Sequence, residues 1–158
     1  MRRPFFKLLH AAMAKDERII FLTGDLGFSL IEPIRDDFPS RFFNMQAAEF
    51  AMVGAAIGMT YSGKIPIVYS ITPFTILRPF ELLRTYVNHE RIPIRLCGAG
   101  RDDQYQGGIS HYAGDIKTIL GTLPNIREFW PANDDELNDA LMNDFLYDSN
   151  PTFLSLSK

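Results

Sequence analysis

Between Arg41 and Lys64 the chain carries one charge, Glu49, and it lies among alanine, methionine, phenylalanine and glycine. A carboxyl in that company has two readings. It is a solvated first-turn residue favoured by the helix dipole, or it is buried for a purpose. Buried without a partner, it favours the neutral acid, which can donate a hydrogen bond and take part in proton transfer. Four other polar sets stand out: Asp25 to Ser29, Tyr69 to Thr75, Arg101 to His111, and Ser157-Lys158. Each follows an apolar run, so their positions depend on what those runs form.

The stretch Asn44 to Gly63 reads as a helix of small and apolar residues ended by Gly63. Ala47, Ala51 and Ala55 recur every four residues, as do Gly54 and Gly58, a spacing that lets another backbone approach closely. Two interior glycines each cost roughly 1 kcal/mol against alanine, so close packing is the expected compensation. The packing partner is either another protein surface or another helix of the same domain.

Before this helix, Phe5 to Ala14 shows a helical period, and Arg18 to Thr23 is a short β-branched and aromatic run that predicts a buried strand. A turn at Gly24 to Gly27 leads to Ser29, the expected cap of a short helix from Leu30 to Asp37 with Pro33 in its first turn. After it, Ile65 to Ser70 predicts a strand with Pro66 at its start. Pro73 to Thr75 reads as a loop, Arg78 to His89 as a helix, and Ile92 to Cys97 as a strand. Gly98 to Gly108 is a long polar, glycine-rich loop, the kind that is usually functional or disordered. Gly114 to Leu120 predicts a helix, Ile126 to Trp130 a strand, Asp134 to Tyr147 an amphipathic helix, and Thr152 to Leu156 a last strand. Alternating strands and helices predict one three-layer α/β/α domain over residues 1–158 with a mostly parallel sheet. In such a sheet ligands bind outside the carboxyl ends of the strands, where all four polar sets fall, with Glu49 opening a helix beside them.

Composition narrows the classes. At 158 residues with 46% hydrophobic and 22% charged, the chain has the make-up of one soluble domain. A net charge of −3 argues against a nucleic-acid footprint. The single Cys97 excludes an internal disulfide and a Cys-rich zinc site. No stretch approaches a membrane span, and Lys7 and His10 interrupt the first apolar run too early for a signal peptide, so a cytoplasmic protein is expected. Thirteen phenylalanines make either a bulky core or the lining of a pocket or interface.

The order of segments resembles the pyrimidine-binding domain of transketolases and deoxyxylulose-phosphate synthases. The resemblance is carried by Phe43 to Met59 with Glu49, Arg78-Pro-Phe-Glu-Leu-Leu-Arg84, Gly107-Gly-Ile-Ser-His111, Leu123-Pro-Asn-Ile126 through Trp130-Pro-Ala-Asn-Asp-Asp135, and Leu154 to Lys158. It implies the thiamin diphosphate-binding fold and thiamine diphosphate chemistry. By that resemblance Glu49 hydrogen-bonds N1′ of the aminopyrimidine and promotes its imino tautomer. His111 faces the reactive side of the cofactor as a proton relay or donor. Phe74 is the expected platform under the ring, with Tyr69 behind it, and core packing is the other reading of both aromatics. Asp25 and Ser29 match the family's Asp-Leu-x-x-Ser turn, in which the serine helps hold a sugar phosphate. Arg101 and Lys158 are candidate phosphate cations, with a solvated surface role as the alternative.

Departures from the family pattern bear on the substrate. Gly107 replaces the usual acidic residue, Phe50 and Ala51 follow the glutamate where a histidine is common, and Ala99 or Arg101 stands where a phosphate-reading histidine is expected. Cofactor activation is thus expected to be retained, while the sugars are unusual. The Gly-Asp-Gly…Asn signature for Mg2+ and diphosphate is absent from these residues, as is a family-like carboxyl-terminal domain. The expectation is a transketolase-like transferase moving a two-carbon ketol unit between sugar phosphates. It would be active only with a separately encoded diphosphate-binding subunit that holds Mg2+, in a heterotetramer. The competing readings are a thiamine-dependent 2-oxo acid decarboxylase or deoxyxylulose-phosphate-type synthase subunit, and a non-catalytic partner-binding module of the same fold.

Overall fold

A computed structural model describes residues 1–158. Six strands form one sheet: β1 (Ile19–Thr23), β2 (Phe42–Asn44), β3 (Ile65–Ile71), β4 (Arg95–Ala99), β5 (Arg127–Phe129) and β6 (Thr152–Leu156), in the order β2-β1-β3-β4-β6-β5. Every pairing is parallel. Parallel strands need crossovers, and α-helices supply most of them, covering both faces. The helices are α1 (Arg2–Lys15), α2 (Glu32–Asp37), α3 (Glu49–Tyr61), α4 (Thr72–Ile76), α5 (Phe80–Leu82), α6 (Ile116–Leu120) and α7 (Asp139–Tyr147). The turn of α5 continues without a break into a π-helical stretch, Leu83–His89.

Strand alternation divides the core. Ile20, Leu22, Val68, Leu96 and Phe153 point to the layer of α3 and α6. Ile19, Phe21, Ile67, Tyr69, Cys97 and Leu154 point to the layer of α1, α2 and α7. The three-layer parallel architecture expected from the pattern is therefore present. No helix is long and apolar enough to cross a membrane.

Four local expectations need correction. Asn44, read as the start of the glutamate helix, instead ends the edge strand β2 paired with β1, and the helix starts at Glu49. Residues 73–75, read as a loop, lie in α4, where Pro73 sits in the first turn and needs no donor. Ser29 does not cap α2; the helix starts at Glu32, and Ser29 takes a left-handed φ of 69° with its N–H donating to Glu32 Oε1 at 2.8 Å. Helix α7 begins at Asp139 rather than Asp134, because Asn138 caps it by accepting from the Leu141 N–H.

Candidate active site

The chain runs from β1 outward to β2 and returns as β3 on the other side of β1. That reversal is the switch point of the sheet, where the carboxyl ends of β1 and β3 part and leave a crevice. Gly24 follows β1 there, Ser70 lies near the end of β3, and Glu49 is the first residue of α3. Turn chemistry sets the entry of α3. Asn44 Oδ1 accepts from the N–H of both Asp25 and Gln46, and Gln46 has a φ of 55°. The loop thereby folds back and α3 starts over the crevice.

Glu49 is buried, at 2% exposure. It does not meet the condition of unpaired burial. Ser70 Oγ donates to its Oε1 at 3.2 Å, and Arg78 Nη1 donates to its Oε2 at 2.6 Å. The Arg78 guanidinium carbon lies 3.6 Å from the centre of the Phe74 ring. His111 meets the same ring edge-on, with centroids 4.9 Å apart. One aromatic surface thus gathers the buried carboxyl, a guanidinium and an imidazole. The short helix α4 makes this possible, since it lifts Phe74 off the sheet. It is anchored by Thr72 Oγ1, which donates to the Gly100 carbonyl at 2.6 Å.

The long loop after β4 delivers His111. Its Nδ1 lies 3.0 Å from Ser110 Oγ and 3.2 Å from the Gly107 carbonyl, so both hold this side of the ring and Nε2 is the ring nitrogen left for chemistry. The imidazole rests against Gly107, where an added Cβ would collide with the ring. Glycine at position 107, the departure from the family pattern, therefore has a packing reason. A side chain there would displace His111.

Across residues 1–158 the sequence matches the family described as the pyrimidine binding domain of transketolase. The chain belongs to this family. It is 26% identical over 159 residues to the 6-deoxy-6-sulfo-D-fructose transketolase subunit SqwH of Clostridium sp. (strain MSTE9), covering 99% of this chain and 49% of that protein. It is 29% identical over 112 residues to an apulose-4-phosphate transketolase subunit of Actinobacillus succinogenes, covering 70% of this chain and 36% of the relative. Among solved structures, a split gene transketolase described as an inactive beta4 tetramer superposes with a TM-score of 0.85 at 27% identity. That match covers 99% of this chain and 50% of the other. The chain spans about half the length of the first of these relatives.

Within this pyrimidine-binding domain, the expected residues separate into those at the crevice and those away from it. Glu49, Phe74 and His111 come together. Tyr69 does not join them: it lies on the opposite face of β3, fully buried, stacked with Phe5 and edge-on to Phe6, and its hydroxyl accepts from Arg2 Nε at 2.9 Å. Burial pushes its phenol well above the ordinary tyrosine range. It is a core residue, not a second platform. Asp25 is at the crevice rim with a φ of 55°, and its carboxylate accepts from Asn44 Nδ2 at 2.9 Å.

Arg101 is committed to the fold. Its Nε donates to Ser155 Oγ, and its Nη2 donates to the carbonyls of Ser155 and Pro131, which ties the long loop to the end of β6. Lys158 lies over the Tyr105 ring at 4.9 Å, at the same end of β6. Ser29 opens on a separate cleft of about 420 Å3 between α1 and α2, with Arg3, Lys7 and His10 around it. Two site residues escape sequence reasoning, Ser70 and Arg78. Strand alternation carries the signal for Ser70, because a residue next to an inward Tyr69 must face the other layer. For Arg78 the signal is its place at the head of the Arg78-Pro-Phe-Glu-Leu-Leu-Arg84 segment, four residues after Phe74.

Proposed function

We propose that this domain is the pyrimidine-binding part of a thiamine diphosphate-dependent transketolase-like transferase. Its diphosphate-binding part would be a separate subunit that also holds Mg2+. The observation that carries the reading is the seat formed by the buried Glu49 carboxyl and the face of Phe74, spanned here by the Arg78 guanidinium, with His111 at its edge. The donor set fits an aminopyrimidine: a flat apolar surface for the ring and a carboxyl in its plane for a ring nitrogen. A planar, nitrogen-bearing group, the Arg78 guanidinium, already fits between them.

When bound, the cofactor supplies a nucleophilic carbon and an electron sink for cleaving the bond beside a ketose carbonyl. The residues of this chain have narrower tasks. Glu49 holds a proton at N1′ of the pyrimidine, and the Ser70 hydroxyl fixes the carboxyl's other oxygen. Phe74 sets the plane of the ring. His111, held through Nδ1, presents Nε2 to a substrate oxygen. Ser29 faces a cleft bordered by the cations Arg3 and Lys7, which suit the phosphate of a sugar phosphate; His10 and Asp37, paired at 2.7 Å, also line it.

The split arrangement draws support from relatives named as transketolase subunits and from the split gene transketolase, half of which this chain covers. It draws support also from α3. Phe50, Ala51, Gly54, Gly58 and Tyr61 all face outward on it. An added methyl at Gly58 would meet nothing within 4 Å, and one at Gly54 only Leu82 Cδ1 at 3.8 Å. Close packing inside the domain therefore does not account for Gly54 and Gly58, which supports a partner surface there. A heterotetramer in the cytoplasm is the assembly this reading favours.

The test is reconstitution with a co-purifying or gene-neighbour diphosphate-binding subunit, thiamine diphosphate and Mg2+. Ketol transfer from a ketose phosphate to an aldose phosphate is expected, and Glu49→Ala should lower its kcat by at least two orders of magnitude while partner affinity holds. Consumption of pyruvate in place of the ketose would move the assignment to a decarboxylase or synthase. Equal turnover by Glu49→Ala would end the catalytic reading.

A further inference from the structure

Resting on that functional reading, we propose that Arg78 is a placeholder for the aminopyrimidine: in the free chain its guanidinium fills the ring's seat and must leave before the cofactor enters. Two contacts define the seat, and Arg78 makes both. Its guanidinium carbon stacks 3.6 Å above the Phe74 centroid, which is the thickness of one aromatic layer. Its Nη1 donates to Glu49 Oε2 at 2.6 Å, from the side a ring nitrogen would use. A guanidinium is planar and carries its donors in the plane, so it imitates half of an aminopyrimidine. No second layer fits between it and Phe74.

Burial gives this arrangement a purpose. The Glu49 side chain is 1% exposed, and besides Arg78 its only side-chain partner is the neutral Ser70 hydroxyl. An ionised carboxylate that far from water destabilises the fold unless a cation accompanies it. Arg78 supplies the cation while the seat lacks a ring. Its own side chain is 41% exposed, so one side of it borders solvent and it can swing out without dragging a buried group. The departure turns Glu49 from an ion-pair partner into a hydrogen-bond partner for N1′. Binding of the ring and release of Arg78 are thus competing occupations of one site, and cofactor affinity is lowered by the strength of the pair.

The proposal separates Arg78 from a residue that helps hold the ring. Both parts of the experiment use the chain alone, so neither depends on a partner. First, Arg78→Met, Glu49→Gln and the double variant are compared with wild type by thermal unfolding. Arg78→Met is expected to lower Tm by about 5 °C, and the double variant to recover most of that loss, because the carboxylate left unpaired is gone. Second, 4-amino-5-hydroxymethyl-2-methylpyrimidine, the ring without its diphosphate tail, is titrated into each protein and followed by NMR. Arg78→Met is expected to bind it about 10-fold more tightly than wild type, and the gain should vanish in the double variant. Additive Tm changes would overturn the placeholder, and so would unchanged or weaker ring binding by Arg78→Met. Thermal coupling with no ring binding by any variant would also overturn the placeholder, while the functional reading stands or falls by the reconstitution assay.

Discussion

A methyl group at position 24 would stand 2.8 Å from Ser70 Oγ and 3.2 Å from Glu49 Oε1. Gly24 is therefore the floor of the site, where the backbone after β1 passes directly under the two side chains that face the crevice. Gly24→Ala should force Ser70 off Glu49 at a cost of about 1–3 kcal/mol. Urea unfolding would read that loss, and Gly24→Ala with Ser70→Ala should regain most of it by clearing the space. If the pair is no better than the single variant, Gly24 is tight for some other reason. Residues of this kind show the limits of sequence reading. Glu49 is visible as a lone charge in an apolar stretch, and His111 through the Gly-Gly-x-Ser-His segment. The partners of Glu49 are not visible, because each belongs to another element. Arg78 reaches the carboxyl only once 72–76 is helical, and Tyr69 leaves the site once β3 alternates.

Elements are legible where their period is long enough to show. α1 and α3 are long helices with one buried side, and β1, β3 and β6 are runs of five or more residues buried on both faces, so their places in the fold follow from that. β2 has three residues, none of them fully buried, too few for an alternation to appear. The pattern starts α7 too early because Asn133 to Glu136 looks helical, yet the Asn133 side chain accepts from the N–H of both Asp135 and Glu136 and holds a turn instead. Asn138 then starts the helix. Asn138→Ala should lower stability by about 1 kcal/mol in a denaturant titration, the usual effect of losing a side-chain cap. α3 behaves in the opposite way. Gly58 lies in mid-helix with open space where its Cβ would be, so Gly58→Ala should raise the stability of the isolated chain by about 0.5–1 kcal/mol. A loss instead would mean that the helix needs glycine for its own geometry.

At the scale of the whole molecule, stability and assembly respond to different surfaces. The acid limb of stability is set away from the crevice. The Arg18 guanidinium holds the Asp16 carboxyl at about 2, below its ordinary 3.8. A depressed carboxyl stabilises the fold above its unfolded pKa and stops doing so as pH falls through the folded one. The Tm difference between wild type and Asp16→Asn should therefore be full at pH 5 and shrink between about pH 4 and pH 2. On the proposed function, assembly is set on α3. Its outward stripe of Phe50, Ala51, Gly54, Gly58 and Tyr61 lies on the helix that carries Glu49, so a subunit docked there would close the crevice from which Glu49 acts. A bulky residue at Gly58 tests this link without entering the site. Gly58→Trp has room in the free chain and should leave its Tm within about 2 °C of wild type. The same substitution should weaken binding of the diphosphate-binding subunit at least 100-fold in sedimentation or calorimetric titration, because an indole holds two closely packed backbones apart. Thiamine diphosphate affinity in the mixture should fall with it, since on the proposed function each subunit supplies only part of the cofactor site. Intact assembly with Gly58→Trp would move the partner to another face and leave the glycines of α3 without a purpose in it.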